Sequence, residues 1–197
     1  MVKKLKPNEV PASYEDLLDP RWVGKIGIEA SDDDWFASIV KHMGEQKGLA
    51  FFRKLAEMKP QLRTGHTLLA ELVAAGEIPL VATIYNHNAE RLVVNGAPIK
   101  WKALDPTFGR PNAVAVTKNA QHPYAALLFV DYMLSPEGQE LLKQRNRVPA
   151  STAVETSLNK FPFHMIDPVI VLDELEKWEK IWSELFLKGQ GIKREAD

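Results

Sequence analysis

The 197-residue sequence predicts an α/β fold, because short apolar runs of strand length alternate with segments of helical periodicity. Residues 64–92 show the pattern most clearly, since a turn, a helix, a strand and a second helix follow one another there. Leucine and valine residues between 68 and 73 give the first helix an apolar face. Gly76 follows its predicted end, where a glycine can adopt the left-handed conformation that terminates a helix. Residues 78–84 are rich in β-branched side chains, which favour a buried strand.

The composition limits the classes of function. The chain is 45% hydrophobic with a formal net charge of −1, which gives no electrostatic indication of a nucleic-acid partner. Cysteine is absent, which excludes disulfides, thiol catalysis and thiolate metal sites. No apolar run has the length of a transmembrane helix, and the N-terminus lacks the apolar stretch of a signal peptide.

The first third of the chain contains one predicted strand and two predicted helices. Two prolines make residues 1–13 an extended connector, and Ser13 caps a short turn after it. Residues 25–29 are a predicted strand, and one of residues 31–34 caps the helix that follows. A second helix is predicted for residues 49–58. The apolar face of the first helix consists of Phe36, Ile39, Val40 and Met43.

The remainder combines short strands with strongly signalled helices. Strands are predicted at residues 99–104 and 113–116, and a helix at 123–134. Ser135–Pro136 and Asp167–Pro168 each place a capping residue before a proline at the first helical position. The second of these signals opens the longest predicted helix, whose apolar stripe is Val171, Leu175, Trp178, Trp182 and Leu185.

Two polar turns flank the strand at 78–84, and both are candidate ligand contacts. The turn Thr64, Gly65, His66 and Thr67 opens a helix, whose N-terminus suits a carboxylate or phosphate; Thr64 acting only as a helix cap is the alternative. After the strand come Tyr85, Asn86, His87 and Asn88, where Asn86 or Asn88 is the predicted cap of the next helix.

Three further residues belong to the predicted site. Arg91 offers a guanidinium fork to a carboxylate, although a salt bridge on the helix surface is the favoured alternative. Asp34 and Trp35 follow a strand end, where Trp35 could stack on a ligand; the alternative is a helix cap followed by a core tryptophan.

Metal binding and catalysis lack a complete motif. His66, His87, Asp33 and Asp34 form an incomplete ligand set with no diagnostic spacing, so neither a metal nor another cofactor is predicted. Nucleophile-elbow, P-loop and dinucleotide-binding motifs are absent from the sequence, and the chain is predicted not to be an enzyme.

Three segments resemble one known family. They are YEDLLDPRWVGKIGIE at 14–29, the turn–helix–glycine–strand unit from residue 64, and AVAVTKNAQHPYAALLFVDYMLSPEGQELL at 113–142. Together they resemble the type 2 periplasmic solute-binding proteins of ABC importers, specifically the ferric-iron-binding-like branch. This resemblance implies two α/β lobes, each with a mixed sheet flanked by helices, and a ligand held in the cleft between them.

The resemblance also implies a domain assignment. Residues 1–8 would be a hinge segment crossing between lobes, and 9–104 would be lobe two. Residues 105–147 would return to lobe one, and 148–197 would pack on lobe two as a helical segment. The first half of lobe one would then be missing, so a truncated chain is expected. Apolar side chains of helix 123–134 (Phe129, Val130 and Met133) would be exposed, and a homo-oligomer or segment-swapped dimer is expected.

The function implied is that of a periplasmic solute-binding protein whose partner is an ABC permease. In the iron-binding members a tyrosine pair ligates the metal just after the matching strand, and here His87 and Asn88 occupy those positions. Neutral imidazole and amide groups suit a ferric ion poorly, so a small anionic or polar solute is favoured and ferric iron is the alternative. Three rival hypotheses are an effector domain of a LysR-type regulator, a metal-dependent hydrolase using His66, His87 and Asp33, and an inactive fragment.

Overall fold

The computed structural model describes residues 5–188, which form two compact units. Within the described range, unit 1 comprises residues 5–109 and 163–188, and unit 2 comprises residues 110–162. Residues 1–4 of the predicted hinge segment and 189–197 of the predicted C-terminal segment lie outside the described residues.

A three-stranded parallel sheet organises unit 1. Strand β1 (Ile26–Glu29) lies in the middle, between β2 (Gln61–Arg63) and β3 (Leu80–Val81). All four residues of β1 are buried, as expected for a strand paired on both sides and covered on both faces. The strand predicted at residues 25–29 is confirmed. The strand predicted at 78–84 is shorter than expected, and β2 was not predicted.

Two helices follow β1 and pack closely against each other. Helix α1 (Asp33–Met43) and helix α2 (Glu45–Glu57) are separated only by Gly44, whose φ of +84° lets the chain turn sharply between them. A Cβ atom on Gly48 would lie 2.5 Å from the Cα of Val40, so the contact between these helices requires glycine. The apolar face predicted for α1 is confirmed.

Aromatic side chains from distant parts of the chain fill the core of unit 1. Phe36 packs against Phe52 with ring centroids 4.7 Å apart and against Trp182 at 5.6 Å. The indole N–H of Trp182 donates a hydrogen bond of 2.7 Å to the backbone oxygen of Ala30, just beyond β1. Trp178 and Trp182 are both fully buried, which confirms their predicted role as core residues.

The C-terminal helix is interrupted, so the prediction of one long helix is wrong. Asp167 caps α7 (Pro168–Leu172) by accepting a hydrogen bond from Val169 N–H, as predicted. The chain then leaves helical geometry at Glu174 (φ −111°, ψ 7°) before α8 (Leu175–Trp182) and a π-helical segment (Ser183–Leu187). An apolar stripe with helical spacing continues across this break, so the spacing alone could not reveal it.

The helices around β3 have the predicted order. Helix α3 (His66–Ala75) ends at Gly76, which has left-handed geometry with φ +79°, as predicted. Asn86 is already the first residue of helix α4 (Asn86–Val94), so it cannot be the N-cap. The N-cap residue of α4 is Tyr85, and no side chain caps the helix, so the prediction of an asparagine cap is wrong.

A second, two-stranded sheet completes unit 1. Strand β4 (Phe108–Gly109) pairs in parallel with β5 (His164–Met165). The strand predicted at residues 99–104 does not form, because that segment has no neighbour to pair with in the described part of the chain. All strand pairs within residues 5–188 are parallel, whereas the resemblance implied a mixed sheet. Short 3-10 helices occur at Pro7–Glu9, Glu15–Leu18, Pro20–Trp22 and Ser157–Asn159.

Unit 2 is built on a helical hairpin. Helix α5 (Pro123–Leu134) and helix α6 (Pro136–Gln144) are joined at Ser135, whose hydroxyl accepts a hydrogen bond from Gly138 N–H. Both predicted helices and the predicted cap are confirmed. The strand predicted at 113–116 is absent from the described chain, which is irregular there. No residue of α5 is buried; Phe129 is exposed, whereas Val130 and Met133 are half-buried.

Candidate functional site

The candidate site lies where β1 and β2 end side by side. Because the two strands are parallel, Glu29 at the end of β1 is brought to the turn that follows Arg63. The Glu29 carboxylate accepts hydrogen bonds from Gly65 N–H (3.0 Å) and Ser31 N–H (2.6 Å). Its own backbone N–H donates to the Thr83 hydroxyl beyond β3 (3.0 Å). One glutamate therefore joins the polar turns that follow all three strands of the sheet.

Asp32 and His66 face each other beside Glu29. The Nε2 atom of His66 lies 3.3 Å from Oδ1 of Asp32, and Asp32 is only 2% exposed. The Nδ1 atom of His66 is buried and has no hydrogen-bond partner within the described part of the chain. Of these three residues only His66 was predicted in the site; Glu29 and Asp32 were missed.

Two rings extend this site toward the start of α4. The ring centroid of Tyr85 lies 4.1 Å from that of His66, and His87 stacks on Tyr85 at 5.4 Å with an interplanar angle of 12°. The first residues of α3 and α4 are therefore neighbours. Tyr85, Asn86, His87 and Asn88 are all half-buried, and Asn88 N–H donates to the Tyr85 backbone oxygen.

The predicted turn at 64–67 opens α3 in an unexpected way. Gly65, with φ +99°, is the N-cap residue, and no side chain caps the helix. Thr64 is therefore not the helix cap, so the alternative explanation of Thr64 as a residue that only caps α3 is wrong. The N–H of Gly65, predicted as a donor to a ligand, is already hydrogen-bonded to Glu29. Thr67 lies one residue into the helix and is exposed, as is Thr64.

The other predicted site residues have roles within the protein. Arg91 lies on the exposed face of α4, with Nη2 3.9 Å from Oε1 of Glu71, as the salt-bridge alternative predicts. Trp35 packs edge-on against Phe52 at 5.3 Å, and Asp34 accepts a hydrogen bond from the Trp35 N–H. These contacts favour the interpretation of Trp35 as a core residue.

Comparison with known proteins identifies the family. The model of the family described as "Bacterial extracellular solute-binding protein" matches residues 2–168, which is most of the chain. This chain belongs to that family. Members of the family are extracellular solute-binding proteins, as its description states. No helix within residues 5–188 combines the length and the apolar character needed to cross a membrane.

Two relatives in particular carry the same resemblance. The iron uptake protein A1 of Synechocystis sp. (strain ATCC 27184 / PCC 6803 / Kazusa) is 29% identical over 162 residues, covering 73% of this chain and 44% of the relative. The Fe(3+)-binding periplasmic protein of Serratia marcescens is 27% identical over 167 residues, covering 79% of this chain and 49% of the relative. The chain thus spans about half the length of these curated relatives.

A solved structure supports the fold. The crystal structure of iron-bound HitA from Pseudomonas aeruginosa superposes with a TM-score of 0.66, at 20% sequence identity, over 92% of this chain and 63% of that chain. The predicted α/β fold of a type 2 periplasmic binding protein is confirmed, and so is the resemblance to its ferric-iron-binding branch.

Proposed function

We propose that this chain is part of the solute-binding component of an ABC transporter. It would bind a small anionic or polar solute at the wall formed by residues 64–67 and 85–88. One observation carries the proposal: the beginnings of α3 and α4 are neighbours, since the rings of His66 and Tyr85 lie 4.1 Å apart. Both helix N-termini carry a partial positive charge, and two such ends together suit an acidic group.

The beginning of α4 is the better of the two ends for a solute contact. Gly65 N–H at α3 is engaged by Glu29, whereas no side chain caps α4. Asn86, His87 and Asn88 lie on the first turn of α4 and are half-buried, so a solute could reach them. Amide and imidazole groups both hydrogen-bond to carboxylate or phosphate oxygens. In this proposal Arg91 is a secondary contact, because Glu71 competes for its guanidinium.

The mechanism proposed is capture without catalysis. Residues 9–104 would supply most of one lobe, 105–147 would belong to the other, and 148–197 would pack on the first, with 1–8 crossing between them. Closure of two lobes around the solute would create the form that docks on a membrane permease. The location proposed is the periplasm, as the Serratia relative's name states for that protein.

Ferric iron is the second candidate solute. Both relatives are named for iron uptake or Fe(3+) binding, and this observation favours ferric iron. His87 and Asn88, however, occupy the positions that the family resemblance assigns to the tyrosine pair. Without anionic phenolate ligands, a ferric ion has weak partners there, so an organic solute remains the first choice.

Thermal melting of the purified chain with a panel of small solutes tests the proposal. The panel contains dicarboxylates, phosphate esters, neutral sugars and ferric citrate, each at millimolar concentration. We expect one acidic organic class to raise the melting temperature, because a ligand that binds only the folded state stabilises it. His87→Ala and Asn88→Ala should abolish the rise, while His122→Ala, an exposed control in unit 2, should retain it. An unchanged melting temperature with every solute, both with and without an added divalent metal, would contradict the proposal.

We also propose that α5 mediates self-association of this chain, either as a homo-oligomer or by exchange of the segment. Its exposed apolar residues are Tyr124, Leu127, Leu128, Phe129, Tyr132 and Leu134. Burying one such side chain contributes about 1.5–3 kcal/mol, so several exposed together favour association. Light scattering coupled to size exclusion should show an oligomer that Leu128→Glu dissociates. A monomer at all concentrations would contradict this proposal.

A further inference from the structure

Glu29, Asp32 and His66 form a cluster with the chemistry of a cation site. One carboxylate oxygen from each acid and one ring nitrogen of His66 all lie within 4.8 Å of one another. Both acids are buried, with exposed fractions of 5% for Glu29 and 2% for Asp32. The side chain of His66 is 14% exposed, so the cluster lies just below the surface. Acidic side chains on a protein surface often cluster without binding a metal. Two buried carboxylates that lie close together are different, because their mutual repulsion destabilises the fold unless another group compensates it.

That cost is electrostatic. Two ionised carboxylates a few ångströms apart in a poorly hydrated environment repel each other. The Glu29 carboxylate accepts two backbone N–H groups, and no lysine or arginine forms an ion pair with it within residues 5–188. His66 can carry at most one positive charge, so the three side chains together remain negative. A divalent cation would bring their net charge to zero with a neutral imidazole.

The unsatisfied nitrogen of His66 is a second, independent indication. When Nε2 donates its hydrogen to Asp32, Nδ1 carries a lone pair. That Nδ1 atom is buried and meets no donor in the described part of the chain. A buried acceptor without a partner costs roughly 1–3 kcal/mol. Coordination of a metal through Nδ1 would remove this cost, because Nε2 would then carry the ring hydrogen and keep it directed at Asp32.

The cluster also conflicts with the proposed anion site unless a cation is present. His66 belongs to the wall at residues 64–67, and its ring contacts Tyr85 at the beginning of α4. An acidic solute approaching this wall would meet the negative potential of Glu29 and Asp32. A bound cation would reverse the sign of that potential and present a positive centre to the solute.

We propose that Glu29, Asp32 and His66 bind one divalent first-row transition-metal cation, which supplies the positive charge that an acidic solute contacts. Two carboxylates and one imidazole are typical ligands of Zn²⁺, and three protein ligands leave a fourth position for water or a solute oxygen. The cation site rests on the three side chains alone, whereas its contact with a solute rests on the proposed function.

Titration of the EDTA-treated, dialysed chain with Co²⁺ and then Zn²⁺ tests the cation site. We expect one equivalent of Co²⁺ to produce d–d absorption bands, which one equivalent of Zn²⁺ abolishes. Asp32→Asn and His66→Gln should each weaken Co²⁺ binding by about 100-fold or more, because even substitutions of residues that only hydrogen-bond to a metal ligand weaken binding by about 10- to 100-fold. The control is His164→Asn, which removes the competing surface pair of His42 and His164, whose rings lie 5.0 Å apart. It should bind Co²⁺ like the parent chain.

Two results would overturn the cation site: no stoichiometric binding by the parent chain, or binding that His164→Asn abolishes and Asp32→Asn preserves. Circular dichroism checks that each variant is folded. If neither site variant folds, anomalous diffraction from Zn²⁺-soaked crystals of the parent chain decides, because the signal must lie between Glu29, Asp32 and His66.

The solute panel, repeated with EDTA and with Zn²⁺, separates this inference from the proposed function. Stabilisation by an acidic solute only with Zn²⁺ supports both. Equal stabilisation in EDTA and Zn²⁺ overturns the role of the cation and leaves the proposed function intact. Stoichiometric Zn²⁺ binding at the cluster with no effect of any solute supports the cation site and contradicts the proposed function.

Discussion

Units 1 and 2 both contain helices rich in apolar residues, but these residues are buried in unit 1 and largely exposed in unit 2. In unit 1, the apolar faces of α1 and α2 are buried in one core that also contains residues of β1, α8 and the π-helical segment, with Phe36 and Phe52 fully enclosed. In unit 2, α5 is richer in apolar residues than either, yet it has no buried residue. Phe52 is 0% exposed and Phe129 is 57% exposed. A strong helix signal therefore does not imply a buried helix.

The difference lies in what each unit provides opposite its helices. Unit 1 contains a three-stranded sheet with helices packed on it, so the apolar faces of α1 and α2 have partners. Within unit 2, the described residues provide α6 and irregular chain but no strand. Local signals such as Ser135 and Pro136 are enough to form α5 and α6, but burial requires another layer.

The largest expected effect comes from a matched pair of phenylalanines. Phe52→Ala should lower the free energy of unfolding of unit 1 by about 3–5 kcal/mol, because it removes a fully buried ring and leaves a cavity. Phe129→Ala should change stability by less than about 0.5 kcal/mol, as expected for an exposed site. Urea denaturation followed by far-UV circular dichroism measures both, because the helices of both units contribute to that signal; tryptophan fluorescence reports unit 1 separately, since Trp178 and Trp182 lie in its core. Equal effects of the two substitutions would remove the contrast between the units.

A smaller effect should come from a buried polar side chain of unit 2. Gln139 is buried; its Nε2 donates to the Met133 oxygen (2.6 Å), and its Oε1 accepts from Ala150 and Ser151 N–H (2.6 and 3.1 Å). Gln139→Leu should cost about 1–2 kcal/mol, because these backbone groups lose their partner. Hydrogen exchange at Ala150 and Ser151 should accelerate.

Gln144→Leu is the control for that measurement, because Gln144 lies exposed at the end of the same helix. It should leave the exchange at both amides unchanged. If Gln139→Leu also left it unchanged, unit 2 would not depend on this side chain for its internal order.

The smallest effect at neutral pH should come from Tyr14 in unit 1. Its hydroxyl donates a hydrogen bond of 2.9 Å to the Pro106 oxygen. Burial, together with the nearby Asp105 carboxylate, raises the pKa of Tyr14 to about 12. Because the folded-state pKa exceeds the unfolded value near 10, its contribution is complete below pH 10 and is lost as pH rises toward 12.

Tyr14→Phe should therefore cost about 1 kcal/mol at pH 8, from the lost hydrogen bond. Between about pH 10 and 12 the parent chain should lose on the order of 2 kcal/mol relative to the variant, so the order of stabilities should reverse. Urea denaturation of both proteins across this range measures the difference, in which the titration of all other groups cancels. Parallel pH profiles would show that the Tyr14 hydroxyl is not buried in solution.

Features that depend on a few neighbouring residues could be predicted from the sequence. The caps at Ser135 and Asp167 and the helix end at Gly76 are of this kind, because each is fixed by local conformation. Features that depend on distant partners could not be predicted. Residues 99–104 have strand-like composition but no strand beside them in the described chain, and the stripe from Val171 to Leu185 does not reveal the break at Glu174.

The candidate site was predicted only in part for the same reason. His66 and Tyr85 were found because each lies in a recognisable polar turn next to the predicted strand at 78–84. Glu29 was missed because its approach to Gly65 depends on β2, and that three-residue strand has a single apolar residue, Leu62. Had β2 been recognised, the meeting of parallel strand ends would have placed Glu29 beside the turn at 64–67.

The hydrogen bond from Trp182 to the oxygen of Ala30 joins residues 152 positions apart. While the chain is being synthesised, the tryptophans that close the aromatic core therefore leave the ribosome long after Phe36 and Phe52. Until then Phe36 and Phe52 lack part of their apolar surroundings, and contacts of such long range slow folding. We therefore expect the apolar surface of α1 and α2 to stay exposed for longer during synthesis than that of a core completed by early residues.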